Sequence, residues 1–100
     1  MSDTQEIRVI AEAQAKPGQE QALRDLFLDV IAPTRQELSC RHYHLHEDLD
    51  KPGHFFFYET WASRAALDAH LQEPHLRHLG EATKDLVAQP TRVTVVTMLA

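Results

Sequence analysis

The fold of this 100-residue chain is decided by a stretch in its middle, residues 55–75, which reads FFFYETWASRAALDAHLQEPH. Five of its first seven residues are aromatic, a composition typical of β-strands. Because side chains alternate along a strand, Phe55, Phe57, Glu59 and Trp61 are predicted to share one face. A carboxylate therefore lies among three aromatic residues on that face.

The second half of the stretch is predicted to form two helices that meet at a bend. Ser63 is a suitable N-cap for the first helix, whose apolar stripe includes His70. Pro74 pushes the residue before it out of the helical region, so the bend falls at residue 73. His75 then lies on the apolar stripe of the second helix. Both histidines are expected to point at the sheet rather than at solvent.

The flanking sequence supplies the remaining elements by the same periodicities. They are a strand at 6–15, a helix that kinks or restarts at Pro33 and ends near Leu38, a hairpin of strands at 40–47 and 54–61, and a last strand at 92–99. This β-α-β-β-α(α)-β order predicts the α+β, ferredoxin-like split β-α-β fold, a four-stranded antiparallel sheet with helices on one face. Apolar residues on both faces of several strands favour a homodimer that covers the other face.

Composition limits the possible partners. The net charge is -5 and only 10 residues are Lys or Arg, which argues against nucleic acid. No apolar run approaches the roughly 18 residues that span a bilayer. Cys40 is the only cysteine, which agrees with a reducing compartment. We expect a single domain over residues 1–100 in a soluble, cytoplasmic protein.

Glu59 and the two helix histidines are candidates for chemistry, each with a structural alternative. Glu59 is expected either to have a raised pKa suited to proton transfer or to make a structural hydrogen bond. His70 and His75 could each act as a base near neutral pH or serve in packing.

A histidine ladder, His42, His44 and His46, alternates along one strand face. Its neighbours are about 7 Å apart, which suits a tetrahedral ion poorly, so no metal site is predicted and a polar or dimer-lining face is favoured. Phosphate loops, dinucleotide glycine patterns and nucleophile elbows are absent from the sequence.

Several motifs together resemble the antibiotic-biosynthesis monooxygenase (ABM) domain family, in particular its small quinol-monooxygenase-like members. They are Ala15-Lys16-Pro17-Gly18, Thr34-Arg35 followed by Glu37 and Cys40, Tyr43 and Leu45, then Phe55, Glu59 and Trp61, and finally His70-Leu71 with Pro74-His75. The resemblance implies a dimeric α+β barrel with a pocket between helices and sheet. It also implies oxygenation of a small hydroxyaromatic or quinol by O₂ without metal or flavin, so no cofactor is expected.

Carried onto this chain, the resemblance assigns roles to particular residues. It implies Glu59 as an orienting or proton-relaying partner and His70 or His75 as the base. The substrate-binding residues that it implies are Trp61, Tyr43, Phe57 and Arg35. The chain has no asparagine, so the Asn, Trp and His set of the related haem-degrading proteins is incomplete. Two alternatives remain open, namely an isomerase or other enzyme acting on a small carbonyl compound, and a non-catalytic dimer that binds a small molecule.

Overall fold

The computed structural model describes residues 5–100, which form one antiparallel sheet and three helices. The elements are β1 (Ile7–Gln14), α1 (Glu20–Arg35), β2 (Cys40–Glu47), β3 (His54–Trp61), α2 (Arg64–Gln72), α3 (Pro74–Thr83) and β4 (Arg92–Val96). The strand order is β2-β3-β1-β4, and every neighbouring pair is antiparallel. This is the predicted ferredoxin-like arrangement, and the fold prediction is confirmed.

The core lies between α1 and the face of the sheet that carries the odd-numbered residues of β1 and β3. Phe27 on α1 packs edge-on against Phe55 and Phe57, with ring centroids 5.5 and 5.0 Å apart. Ala11 and Ala13 lie opposite these two phenylalanines on β1. Small residues on β1 next to large ones on β3 let the helix approach while the rings fill the space.

The first helix runs through Pro33 without restarting and ends at Arg35, three residues before the predicted end. A proline in the last turn removes only its own N–H from the helix, so the helix continues past it. Beyond Arg35 the chain tightens, because the N–H groups of Gln36 and Glu37 bond to the carbonyls of Pro33 and Thr34 at 3.2 and 3.0 Å. This turn holds Glu37 beside the end of the helix.

The last strand is shorter than predicted and the second strand contains an irregularity. β4 ends at Val96, which pairs with Arg8 of β1 in the last residue pair between these two strands in the described part of the chain. In β2 the register shifts between Cys40 and His42. This bulge interrupts the strict alternation that the sequence predicted at the start of the strand.

The opposite face of the sheet carries no helix from the described residues. Ile10 is 36% and Tyr58 50% exposed there, beside the histidine ladder. The homodimer that would cover this face stays a prediction. Among the described helices, none has the length and apolar character needed to cross a membrane.

Candidate functional site

A cavity of about 280 Å³ lies between helices α2 and α3 and the core-facing side of the sheet. Its apolar lining includes Val9, Ala11, Phe27, Phe57, Leu67, Leu71, Leu76, Leu79 and Val93. Its polar lining residues are Tyr43, Glu59, His70, Thr83 and Thr91. Apolar walls with a few convergent polar groups are the usual composition of small-molecule sites.

Glu59 provides a carboxyl group in this apolar cavity. Its side chain comes from the middle of β3, and the residue is only 7% exposed. Burial raises the pKa of Glu59 to about 7, against the lowering effect of the hydrogen bond that Trp61 Nε1 donates to Glu59 Oε1 at 2.9 Å. Glu59 can therefore gain or lose a proton near neutral pH.

A second cluster, the Glu37 triad (Glu37, His70 and His75), lies next to the cavity. The same oxygen, Glu37 Oε2, is 2.8 Å from His70 Nδ1 and 2.8 Å from His75 Nε2. The bend at Glu73, with φ -63° and ψ 141°, ends α2 and begins α3, which brings the two histidines to one carboxylate. The predicted bend is thus the feature that assembles this cluster.

The ring of His70 is fixed by packing as well as by Glu37. It lies 4.3 Å from the Trp61 ring and 5.6 Å from the Tyr43 ring, measured between centroids, and the residue is 2% exposed. Burial lowers the pKa of His70, although the hydrogen bond to Glu37 opposes this effect. The imidazole is therefore favoured in its neutral form, the form that can accept a proton.

The hydrogen bonds also indicate which ring nitrogen of His70 is free. An ionised carboxylate only accepts, so a neutral His70 must carry its hydrogen on Nδ1 to bond Glu37. The lone pair is then on Nε2, and no hydrogen bond to Nε2 is found among residues 5–100. His70 lines the cavity, whereas His75, whose side chain is 23% exposed, is not one of the cavity-lining residues.

The other residues selected from the sequence have different placements. Tyr43 and Phe57 line the cavity. Trp61 is completely buried and lies behind the lining, in contact with His70 and Glu59. Arg35 is also outside the lining, and donates from Nε and Nη2 to the Tyr43 carbonyl at 3.1 and 2.8 Å.

Glu37 was not predicted to belong to the site, although it links both candidate histidines. It is 33 residues from His70 and 38 from His75 in sequence, so no local spacing connects them. The sequence signal that could have indicated Glu37 was its position in the motif Thr34-Arg35 followed by Glu37 and Cys40. Only the tight turn after Arg35 and the bend at Glu73 together bring the three side chains into contact.

Comparison with known proteins agrees with this fold. A family model described as "Antibiotic biosynthesis monooxygenase" matches residues 6–82. The chain is 38% identical over 96 residues to the Mycobacterium tuberculosis protein named "Putative monooxygenase Rv0793", covering 96% of this chain and 94% of that protein. The structure of Rv0793 superposes with a TM-score of 0.90 at 36% identity, covering 96% of this chain and 97% of the other.

Two further relatives differ in how much of their length is shared. The Escherichia coli K12 protein named "Probable quinol monooxygenase YgiN" is 34% identical over 88 residues, 78% of this chain and 85% of that protein. The Synechocystis protein sll1783 is 34% identical over 89% of this chain, which spans 60% of that longer relative. The matching family model, these identities and the shared fold lead to one conclusion: the chain belongs to the antibiotic biosynthesis monooxygenase family.

Proposed function

We propose that this protein is a cofactor-independent monooxygenase that oxidises a small hydroxyaromatic or quinol with O₂. The observation that carries the proposal is the placement of His70 at an apolar cavity, with one ring nitrogen bonded to Glu37 and the other free. A volume of about 280 Å³ suits a small aromatic molecule. Membership of the family and the name of the YgiN relative support the same reaction class.

In the proposed reaction, His70 Nε2 takes the proton of the substrate hydroxyl. Burial of the resulting phenolate in an apolar cavity makes it a better electron donor. It passes one electron to O₂, and the phenoxyl radical and superoxide combine to form a carbon–oxygen bond. Loss of water from the hydroperoxide then leaves a new carbonyl group. The O–H and C–H hydrogens of the substrate leave in water with one oxygen atom of O₂, and the other oxygen atom stays in the product.

In the proposed scheme protonated His70 returns the O–H proton to the peroxide anion, which gives the hydroperoxide. Glu59 then protonates the departing hydroxide to form water, and it recovers a proton from the carbon that becomes the carbonyl. Its pKa of about 7 allows the carboxyl group to be protonated in a fraction of molecules at neutral pH. Trp61 would set the orientation of this group through its 2.9 Å hydrogen bond. In this scheme Glu37 is a positioning residue, because it holds the His70 tautomer without touching the substrate.

The active form is proposed to be a homodimer formed by the uncovered sheet face. Ile10 and Tyr58 are exposed there next to the histidine ladder, and a second copy would bury them. Sedimentation equilibrium of the wild type and of an Ile10→Glu variant would test this arrangement. The variant is expected to be monomeric, and a wild type that sediments as a monomer would contradict it.

The reaction is tested by oxygen uptake with a panel of chemically reduced quinones and hydroxyaromatics. For any substrate that is turned over, His70→Gln is expected to reduce kcat/KM at least about 100-fold, the usual size of a general-base contribution. His78→Gln makes the same chemical change at an exposed position of α3 and is expected to leave the rate unchanged. Equal rates for wild type and His70→Gln would refute the role of His70.

A second function is compatible with the same pair of groups. Glu59 and His70 both line the cavity, and two proton-transfer groups could isomerise a small carbonyl compound instead. Oxygen separates the two reactions, because the isomerase would turn over under strictly anaerobic conditions and the monooxygenase would not.

A further inference from the structure

The Glu37 triad has the composition of a metal-binding site as well as of a hydrogen-bonded cluster. One carboxylate oxygen and two imidazole nitrogens, from Glu37, His70 and His75, all lie within 4.8 Å of one another. Among the described residues the ion-pair partners of Glu37 are these two histidines alone, with no Lys or Arg. With neutral imidazoles the cluster therefore has a net negative charge that a cation would balance.

Two imidazoles and one carboxylate form a ligand set that binds Zn²⁺ and similar divalent ions. Such ions lie about 2.0–2.1 Å from each ligand atom, so an ion between atoms now 2.8 Å apart requires only a modest separation of the triad. The His75 side chain is 23% exposed, which gives an ion access from solvent. The His70 ring is held in place by Trp61 and Tyr43.

We propose that the Glu37 triad is a reversible binding site for a divalent cation of the Zn²⁺ class, with ligands Glu37 Oε2, His70 Nδ1 and His75 Nε2. Solvent completes the coordination shell at the exposed side. The ion replaces the two hydrogens that bond to Glu37, and in a neutral imidazole each hydrogen moves to the other ring nitrogen.

Binding has a direct consequence for the base, and this part rests on the proposed function. With Nδ1 bound to the ion, the hydrogen of His70 lies on Nε2, and that nitrogen can no longer accept a proton from the substrate. The cation is thus an inhibitor of turnover rather than a cofactor. Removing it with a chelator restores the free lone pair.

The binding itself is tested without substrate, by titrating the metal-free full chain with Zn²⁺ in a calorimeter. We expect one ion per chain and a loss of affinity of at least about tenfold in both Glu37→Gln and His75→Ala. A His42→Ala/His44→Ala double variant is the control, since these two rings are 6.0 Å apart and offer a competing histidine pair. It should bind as the wild type does. Thermal unfolding of each variant without metal shows whether it is folded.

Binding at the histidine ladder, no saturable binding, or equal affinity in wild type and Glu37→Gln would each overturn the proposal. Imidazole ¹⁵N NMR of the wild type provides an independent readout. On adding Zn²⁺, the hydrogen of His70 should move from Nδ1 to Nε2, whereas an unchanged tautomer would place the ion elsewhere. Both readouts are independent of activity, so they remain decisive if the protein turns over no quinol.

Discussion

Replacing Glu59 with glutamine should stabilise the protein at alkaline pH but not at acidic pH. The pKa of Glu59 rises from an ordinary 4.5 to about 7 on folding, because burial penalises the charged carboxylate. Below pH 4.5 the group is protonated in both the folded and the unfolded state. Between pH 4.5 and 7 only the folded state keeps the proton, so the free energy of unfolding falls as pH rises through this window.

The size of the effect follows from the shift. Each pKa unit corresponds to about 1.4 kcal/mol, so ionised Glu59 costs the folded state about 3 kcal/mol above pH 7. Glutamine has the same shape, can still accept the hydrogen bond from Trp61, and does not ionise. The free energy of unfolding of Glu59→Gln minus that of the wild type is therefore expected to increase by about 3 kcal/mol between pH 4.5 and pH 8.

Urea denaturation at a fixed protein concentration across this pH range measures the difference. Glu81→Gln is the matched control, because that side chain is 77% exposed and its replacement should leave the pH dependence unchanged. If Glu59→Gln and the wild type lose stability in parallel as pH rises, the carboxyl group does not have a raised pKa, and the proton-delivery role assigned to it fails.

Three further substitutions test other parts of the structure. Trp61→Phe removes a hydrogen bond that stabilises the charged carboxylate more than the neutral carboxyl group, and should raise the pKa of Glu59 further, by roughly one unit, in a ¹³C NMR titration of its carboxyl carbon. Phe55 is 1% exposed and packs against Phe27, so Phe55→Ala leaves a cavity in the core. It should lower the free energy of unfolding, measured in urea, by about 3–5 kcal/mol. Ser63→Ala removes the cap that accepts the Ala66 N–H at 3.1 Å, at a cost of about 1 kcal/mol that a lower Tm would report.

The fold could be predicted from the sequence because its signals are local. The alternation in β3, the Ser63 cap and the Pro74 bend each depend on a few neighbouring residues, and the structure has all three. The predicted ends of α1 and β4 were wrong, since each element ends three residues earlier in the structure. The end of β4 depends on where its pairing with β1 stops, and a single strand's own sequence does not contain that information.

The candidate site could be predicted only in part, for a related reason. Glu59, His70 and Trp61 lie on one strand and the helix that follows it, so their convergence can be inferred from periodicity. The link from Glu37 to both histidines depends on two separate turns, and the different positions of His70 and His75 relative to the cavity depend on the packing of α3. Side-chain periodicity predicted that both histidines point at the sheet, but it could not show that only His70 lines the cavity.

The central proposal is that O₂ supplies one oxygen atom to a small hydroxyaromatic bound beside His70. Turnover under ¹⁸O₂ in ordinary water, followed by mass spectrometry of product collected before carbonyl exchange, measures this directly. The proposed mechanism predicts one ¹⁸O atom per product molecule and the other in water, without accumulation of hydrogen peroxide. Product that lacks ¹⁸O while hydrogen peroxide accumulates, or turnover that continues without oxygen, would contradict it.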